Sequence, residues 1–215
     1  CGSSAANKII PCTQSLIQEF AVAVNAWILD LYQHAPALLG TSSYWAISPV
    51  MRARTHTAGG IPVGLDDDTA YLGRFGRWAM AHLMAVSGDV AKLPSVADWR
   101  RETLRQLVSA RDLGLISVWS PTFLTLLMEA LDQDWDRVMS GIDPRRRREI
   151  EKLRTHESRL LGTAIWPRLR IISCWADGPS ADFLPALRAW FPGVVVQPKG
   201  LLATEGVIST PRWGI

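Results

Sequence analysis

Apolar residues return every three to four positions from Leu16 to Leu31 (Leu16, Ile17, Phe20, Val24, Trp27, Ile28, Leu31), which predicts a long helix with one core-facing stripe. Ser15 and Gln18 have the spacing of a capping box at its start, and Pro36 lies beyond its end. Ser43-Tyr44-Trp45-Ala46-Ile47 reads as a short strand stopped by Ser48-Pro49, and Gly59-Gly60-Ile61-Pro62-Val63-Gly64 reads as loop. A second helix is expected over about 69–87, with Leu72, Phe75, Ala79, Leu83 and Val86 on one face. A third opens at Ser95, where Asp98 completes an S-x-x-D start, and stops at Gly114. Leu115-Ile116-Ser117-Val118-Trp119 is then a buried strand, and Ser120-Pro121 caps a helix running through Leu131. Asp143-Pro144 repeats that device. In the last third, a strand at 169–175, a helix bearing Leu184, Leu187 and Trp190, a Pro192-Gly193 turn and a strand at Val194-Val195-Val196-Gln197 follow one another. Helices alternating with short apolar strands predict an α/β fold: layered, with a mostly parallel sheet and helical crossovers. No internal repeat or linker interrupts the 215 residues, which read as one unit.

Composition narrows the function classes. Hydrophobic residues make up 48% and charged residues 20%, enough apolar material for a substantial core. A formal charge of +3, with basic residues scattered apart from one run, does not call for nucleic acid. No apolar run reaches the roughly 20 residues that cross a bilayer, so no membrane partner is expected. Three cysteines (Cys1, Cys12, Cys174) have neither metal spacing nor disulfide-framework density and suit the cytoplasm. Most of the ten tryptophans are expected in the core or at interfaces.

Three segments point to nucleotide handling. In Cys1-Gly2-Ser3-Ser4-Ala5-Ala6-Asn7-Lys8, small residues let backbone N–H groups approach a polyphosphate, hydroxyls donate and Lys8 adds positive charge. The Walker spacing is absent, and a flexible polar terminus explains the same residues. Trp175-Ala176-Asp177-Gly178-Pro179-Ser180 follows a strand, the address at which open α/β sheets bind ligands; a plain strand-to-helix turn is the alternative. Lys199-Gly200-Leu201-Leu202-Ala203-Thr204-Glu205-Gly206 also follows a strand. There Thr204 can donate to an α-phosphate and Glu205 can supply the single carboxylate that Mg²⁺ needs, unless Glu205 is simply an exposed loop residue.

Taken together, Gly2-Ser3-Ser4 with Lys8-Ile9-Ile10-Pro11, Trp166-Pro167 through Ala176-Asp177-Gly178, and Gly200 through Gly206 resemble the auxin-responsive promoter family of acyl-acid amido synthetases, in particular its bacterial members. Gly59-Gly60-Ile61-Pro62 and Ile116 through Pro121 share the likeness, which runs along nearly the whole chain. That family belongs to the adenylate-forming superfamily. The resemblance implies ATP and Mg²⁺ as cofactors, a carboxylic acid activated as acyl-AMP, and transfer to an amine such as an amino acid. Transfer to coenzyme A by an acyl-CoA ligase is the alternative. It implies that Gly2, Ser3, Ser4 and Lys8 hold the β- and γ-phosphates, and that Ala176, Asp177, Gly178, Pro179 and Ser180 lie along adenine and the acyl carboxylate. By the same resemblance Ala203 and Thr204 bind the nucleotide, Thr204 at the α-phosphate, Glu205 is the Mg²⁺ ligand, and Lys8, Thr204 and Glu205 are the catalytic set. Trp119, Phe123 and Leu124 would wall the acid pocket, although helix 121–131 also reads as plain core. Leu201-Leu202 stands where the superfamily often carries an adenine-stacking aromatic. The resemblance also implies an internal segment of the large amino-terminal domain, beginning inside the phosphate loop. The small carboxyl-terminal domain would lie beyond Ile215, in the remainder of a parent polypeptide. A non-catalytic fragment of such an enzyme is the competing reading.

Other features weigh less. Arg145-Arg146-Arg147-Arg148 is expected to be a solvated helix face paired with Glu149, Glu151 and Glu157. Asp66-Asp67-Asp68 lacks Ca²⁺-loop spacing and suits a helix start; His34, His56, His82 and His156 lack paired metal spacing. An amino-terminal Cys1 nucleophile would need a sandwich of antiparallel sheets, unlike the alternation seen here.

Overall fold

The computed structural model describes residues 10–11, 13–46, 55–57, 59–60, 62–63, 83–154, 160–203 and 206–214. Helix α1 (Gln14–His34) leads through a 3₁₀ turn (Pro36–Leu38) to strand β1 (Ser42–Trp45). A two-residue antiparallel pair, β2 (Thr55–His56) and β3 (Pro62–Val63), precedes a 3₁₀ turn at Gly88–Lys92. Helix α2 (Val96–Ser109) and strand β4 (Leu113–Ser117) follow, then α3 (Pro121–Gln133), α4 (Trp135–Ser140), α5 (Pro144–Arg154) and α6 (Gly162–Ile165). Strand β5 (Ile171–Cys174), a 3₁₀ turn (Gly178–Phe183), α7 (Leu184–Trp190), β6 (Val195–Pro198) and the antiparallel pair β7 (Leu202–Ala203) and β8 (Gly206–Val207) complete the order.

The fold is α/β. Strands β1, β4, β5 and β6 form one sheet in the order β1-β4-β5-β6, parallel throughout. Helices between successive parallel strands cover one face and α1, ahead of β1, covers the other, which explains why β4 and β5 are buried at every position. The pleat sorts their side chains. Leu115 and Ile171 pack with Leu31 of α1 and with Leu38. On the opposite face Tyr44, Ile116, Ile172 and Cys174 join Leu124, Leu127, Met128 and Leu131 of α3 and Leu187 and Trp190 of α7 in the larger core. Near the carboxyl end of the chain, the Trp213 backbone N–H donates to Asp30 Oδ2 at 2.8 Å and its ring stacks on His34, fastening that segment to α1.

Several expectations shift. Thr13 caps α1, accepting from the Leu16 N–H at 3.2 Å, so Ser15 falls inside the first turn. Only Trp27 and Leu31 of the apolar stripe are fully buried. The stretch expected as loop includes β3, and the expected helix over 69–87 falls mostly outside the described residues; near its end Met84 bridges to Ser43 instead. Helix α2 ends at Ser109 and Gly114 lies within β4, where a Cβ would collide with the Thr41 side chain. Gly114 thus serves close packing, not helix termination. The caps at Ser95 and Ser120 are as predicted, accepting from Asp98 N–H at 3.0 Å and Thr122 N–H at 3.2 Å.

The arginine run is not uniformly solvated. Arg147 pairs with Glu151 at 2.7 Å on the surface, but Arg146 is buried and donates to Val108 O at 2.9 Å and Ile165 O at 2.7 Å. Its guanidinium ties the end of α2 to α6, a structural role.

Candidate functional site

The carboxyl ends of the parallel strands present two rows of side chains toward α1. In the first, Trp45, Ser117, Ser173 and Gln197 stand opposite one another in register. Backbone bonds from Trp175 N–H to Trp119 O (2.8 Å) and from Lys199 N–H to Cys174 O (3.0 Å) extend the ladder. Two residues further along each strand, the pleat therefore carries Trp119, Trp175 and Lys199 onto the same side.

Trp27 of α1 lies over this edge. Its indole N–H donates to Gln197 Oε1 at 2.9 Å, and its ring meets Trp45 with centroids 5.5 Å apart. Leu31, one turn later, packs deeper on the same sheet face, so α1 begins on the carboxyl-edge side. An open groove of about 610 Å³ runs there between Ser15, Gln18, Glu19 and Val22 of α1 and Val207 and Ser209.

Lys199 brings a positive charge to the row of strand-end side chains. Its Nζ donates to Ser117 Oγ at 2.8 Å and lies 5.4 Å from the Trp27 ring centre and 5.3 Å from that of Trp119. Removal of the ammonium from water lowers its pKa from 10.5 to about 8. Trp119 and Trp175, at 47% and 42% exposure with centroids 5.5 Å apart, form the solvent-facing rim. Cys174 faces the opposite core, and burial pushes its thiol up to about 11, so it supplies no thiolate at neutral pH.

The residues expected to bind nucleotide divide in two. Gly2, Ser3, Ser4, Lys8, Thr204 and Glu205 lie outside the described residues. Asp177, Gly178, Pro179 and Ser180 are described, on an exposed or half-exposed turn leaving the end of β5. Gly178 has φ 55°, and a Cβ there would meet nothing within 4 Å, so space lies beside this turn for a ligand. Ala176 instead packs against the core. Ala203 is exposed and pairs with Gly206 across β7 and β8. Among the described residues no group of three His, Cys, Asp or Glu side chains could hold a metal, a requirement that Mg²⁺ with one or two carboxylates does not impose. The expected acid-pocket wall is divided: Leu124 is core, Phe123 packs on Trp99, and Trp119 turns to the α1 side.

Gly200 brings the chain from Lys199 into the β7–β8 pair. A Cβ there would overlap the Ser209 backbone carbonyl, while Leu201 N–H donates to Ser209 Oγ at 3.0 Å. Gly200→Ala is expected to cost about 2 kcal/mol through overpacking, read as a lower urea midpoint; a parent-like midpoint would mean that the pair yields freely.

Sequence reasoning gave Ser117, Gln197 and Trp27 no site role, and Lys199 only a place at the head of the third segment, with no task of its own. The one local signal was a lysine closing the apolar stretch Val194–Pro198.

Comparison with known proteins bears on the fold. The solved structure titled "AtGH3.15 acyl acid amido synthetase in complex with 2,4-DB" superposes with a TM-score of 0.74 at 16% identity, covering 94% of this chain and 39% of that one. A second structure, "GH3.15 acyl acid amido synthetase", gives a TM-score of 0.70 at 14% identity over 92% and 40%. The chain therefore spans about two fifths of the length of these structures. No family model and no curated protein matches it.

Proposed function

We propose that this chain is part of the large domain of an adenylate-forming ligase, of the bacterial acyl-acid amido synthetase type. The observation that carries the reading is one edge of the sheet. There β4, β5 and β6 deliver their carboxyl ends, the Gly178 turn and the β7–β8 pair depart, and α1 begins beside β8. Ligands of open α/β sheets occupy this edge. The fold likeness to two acyl acid amido synthetases supports the same assignment.

In this reading a carboxylate oxygen attacks the α-phosphorus of ATP. The bond to pyrophosphate breaks, and the acyl-AMP then passes its acyl group to an amine, releasing AMP. The Asp177–Ser180 turn lies along adenine, Gly2, Ser3, Ser4 and Lys8 hold the outer phosphates, Ala203 lies beside the nucleotide and Thr204 meets the α-phosphate. Glu205 would hold Mg²⁺, which supplies charge neutralisation on the phosphates. Fixed donors aimed at developing charge supply most of the rate in such a site. The reaction belongs in the cytoplasm, which the sparse cysteines suit.

The test is exchange of labelled pyrophosphate into ATP by the polypeptide in its natural reading frame, across a panel of carboxylic acids. At least one acid should support exchange, and Glu205→Ala should reduce it tenfold or more. No exchange with any acid by a folded protein defeats the proposal, and undiminished exchange by the variant removes Glu205 from it. An amine panel and coenzyme A, offered to the acid that supports exchange, identify the acceptor.

A further inference from the structure

The polar row at the sheet edge has more donors than acceptors. An ammonium carries three N–H groups, and among the described residues the hydrogen-bond acceptor of Lys199 Nζ is Ser117 Oγ. The Trp27 indole takes Gln197 Oε1, which turns the amide so that Nε2 is left without a partner among the described residues. Ser173 Oγ, between Ser117 and Gln197 in the register, likewise lacks one. Ser173 is 0% and Gln197 4% exposed, so water reaches neither group from bulk. Unpaired buried polar groups are uncommon and costly. What the row lacks is an acceptor, and beside an ammonium the matching acceptor is negatively charged.

We propose that Lys199, oriented by Ser117 and flanked by the Trp27 and Trp119 rings, is the binding group for an oxyanion that enters past the exposed Trp119–Trp175 rim. Resting on the adenylation reading, that oxyanion is the carboxylate of the acid or the phosphate of the nucleotide. Lys199 is the residue that touches it; Ser117 and Gln197 are positioning residues, one holding the ammonium and the other fixed by Trp27. The indole faces favour the cation without neutralising it, so the positive charge remains available to a ligand. The lowered lysine pKa agrees with an ammonium drawn from water before its partner arrives.

Calorimetric titration of the full polypeptide with AMP and, separately, with phenylacetate separates the two sources. Lys199→Met should weaken one of them tenfold or more, and that ligand names the source; Ser117→Ala, which keeps the charge, should weaken it less. Unchanged affinity of Lys199→Met for both ligands overturns the site. Should the methionine variant not fold, the parent supplies the test through pH. Among the described residues the titratable group that acts on Lys199 is Cys174, which lies behind it on the opposite face of the sheet and stays neutral to about pH 11. Affinity for the recognised anion should therefore fall as pH rises through about 8, and a flat profile between pH 7 and 9.5 overturns the proposal. These readouts do not require turnover. Anion binding without pyrophosphate exchange would keep the site and reject adenylation, whereas exchange with parent-like Lys199→Met affinities would do the reverse.

Discussion

Arg146→Ala should lower the unfolding free energy by about 3 kcal/mol, whereas Arg145→Ala, Arg147→Ala and Arg148→Ala, all exposed, should each leave it close to the parent value. The four residues are consecutive, yet only Arg146 points inward. Its Nε and Nη2 satisfy the carbonyls of Val108 and Ile165, and Nη1 meets Glu149 at 3.1 Å. Alanine would leave two carbonyls without their donors and a hole where the guanidinium joins the end of α2 to α6. Burial draws the Arg146 pKa below the ordinary arginine value, with Glu149 opposing, so the group stays charged at neutral pH. Urea unfolding of the four variants side by side measures the contrast. Equal losses across the run would contradict the buried assignment.

Lys199→Met should act in the opposite direction, stabilising the protein by up to about 3 kcal/mol at pH 7. A lysine that titrates at 10.5 when unfolded and at about 8 when folded binds fewer protons in the folded state between those values. Stability of the parent therefore rises with pH across that window, and the full penalty of holding the ammonium is present below it. Methionine has no proton to lose and fills similar volume against Trp27 and Trp119. The advantage of the variant should thus be largest at pH 7 and fade by about pH 10.5. A variant less stable than the parent at pH 7 would mean that the Ser117 hydrogen bond and the indole contacts outweigh desolvation. Stability gained together with anion affinity lost is the pattern of a residue kept for binding.

What was legible in the sequence follows from the range of the forces involved. Ser95, Ser120 and Asp143 act on N–H groups two or three residues away, and the alternation of β4 and β5 with their helices depends on local apolar runs, so these elements could be read directly. The α/β class and the parallel sheet followed from them. The candidate site was legible only as strand-end loops. Lys199 and Ser117 are 82 positions apart, Trp27 and Gln197 are 170 apart, and no local pattern pairs them. Arg146 looked like its neighbours because the carbonyls that receive it belong to α2 and α6, and Gly114 looked like a helix stop because Thr41 is brought against it only by strand pairing.

The most direct measurement is the identity of the nucleotide product. The full polypeptide, incubated with ATP, Mg²⁺ and the acid that best supports exchange but with no acceptor, should yield pyrophosphate and an acyl-AMP mixed anhydride visible by mass spectrometry. Formation of ADP and phosphate instead, or intact ATP with every acid offered, would contradict the account.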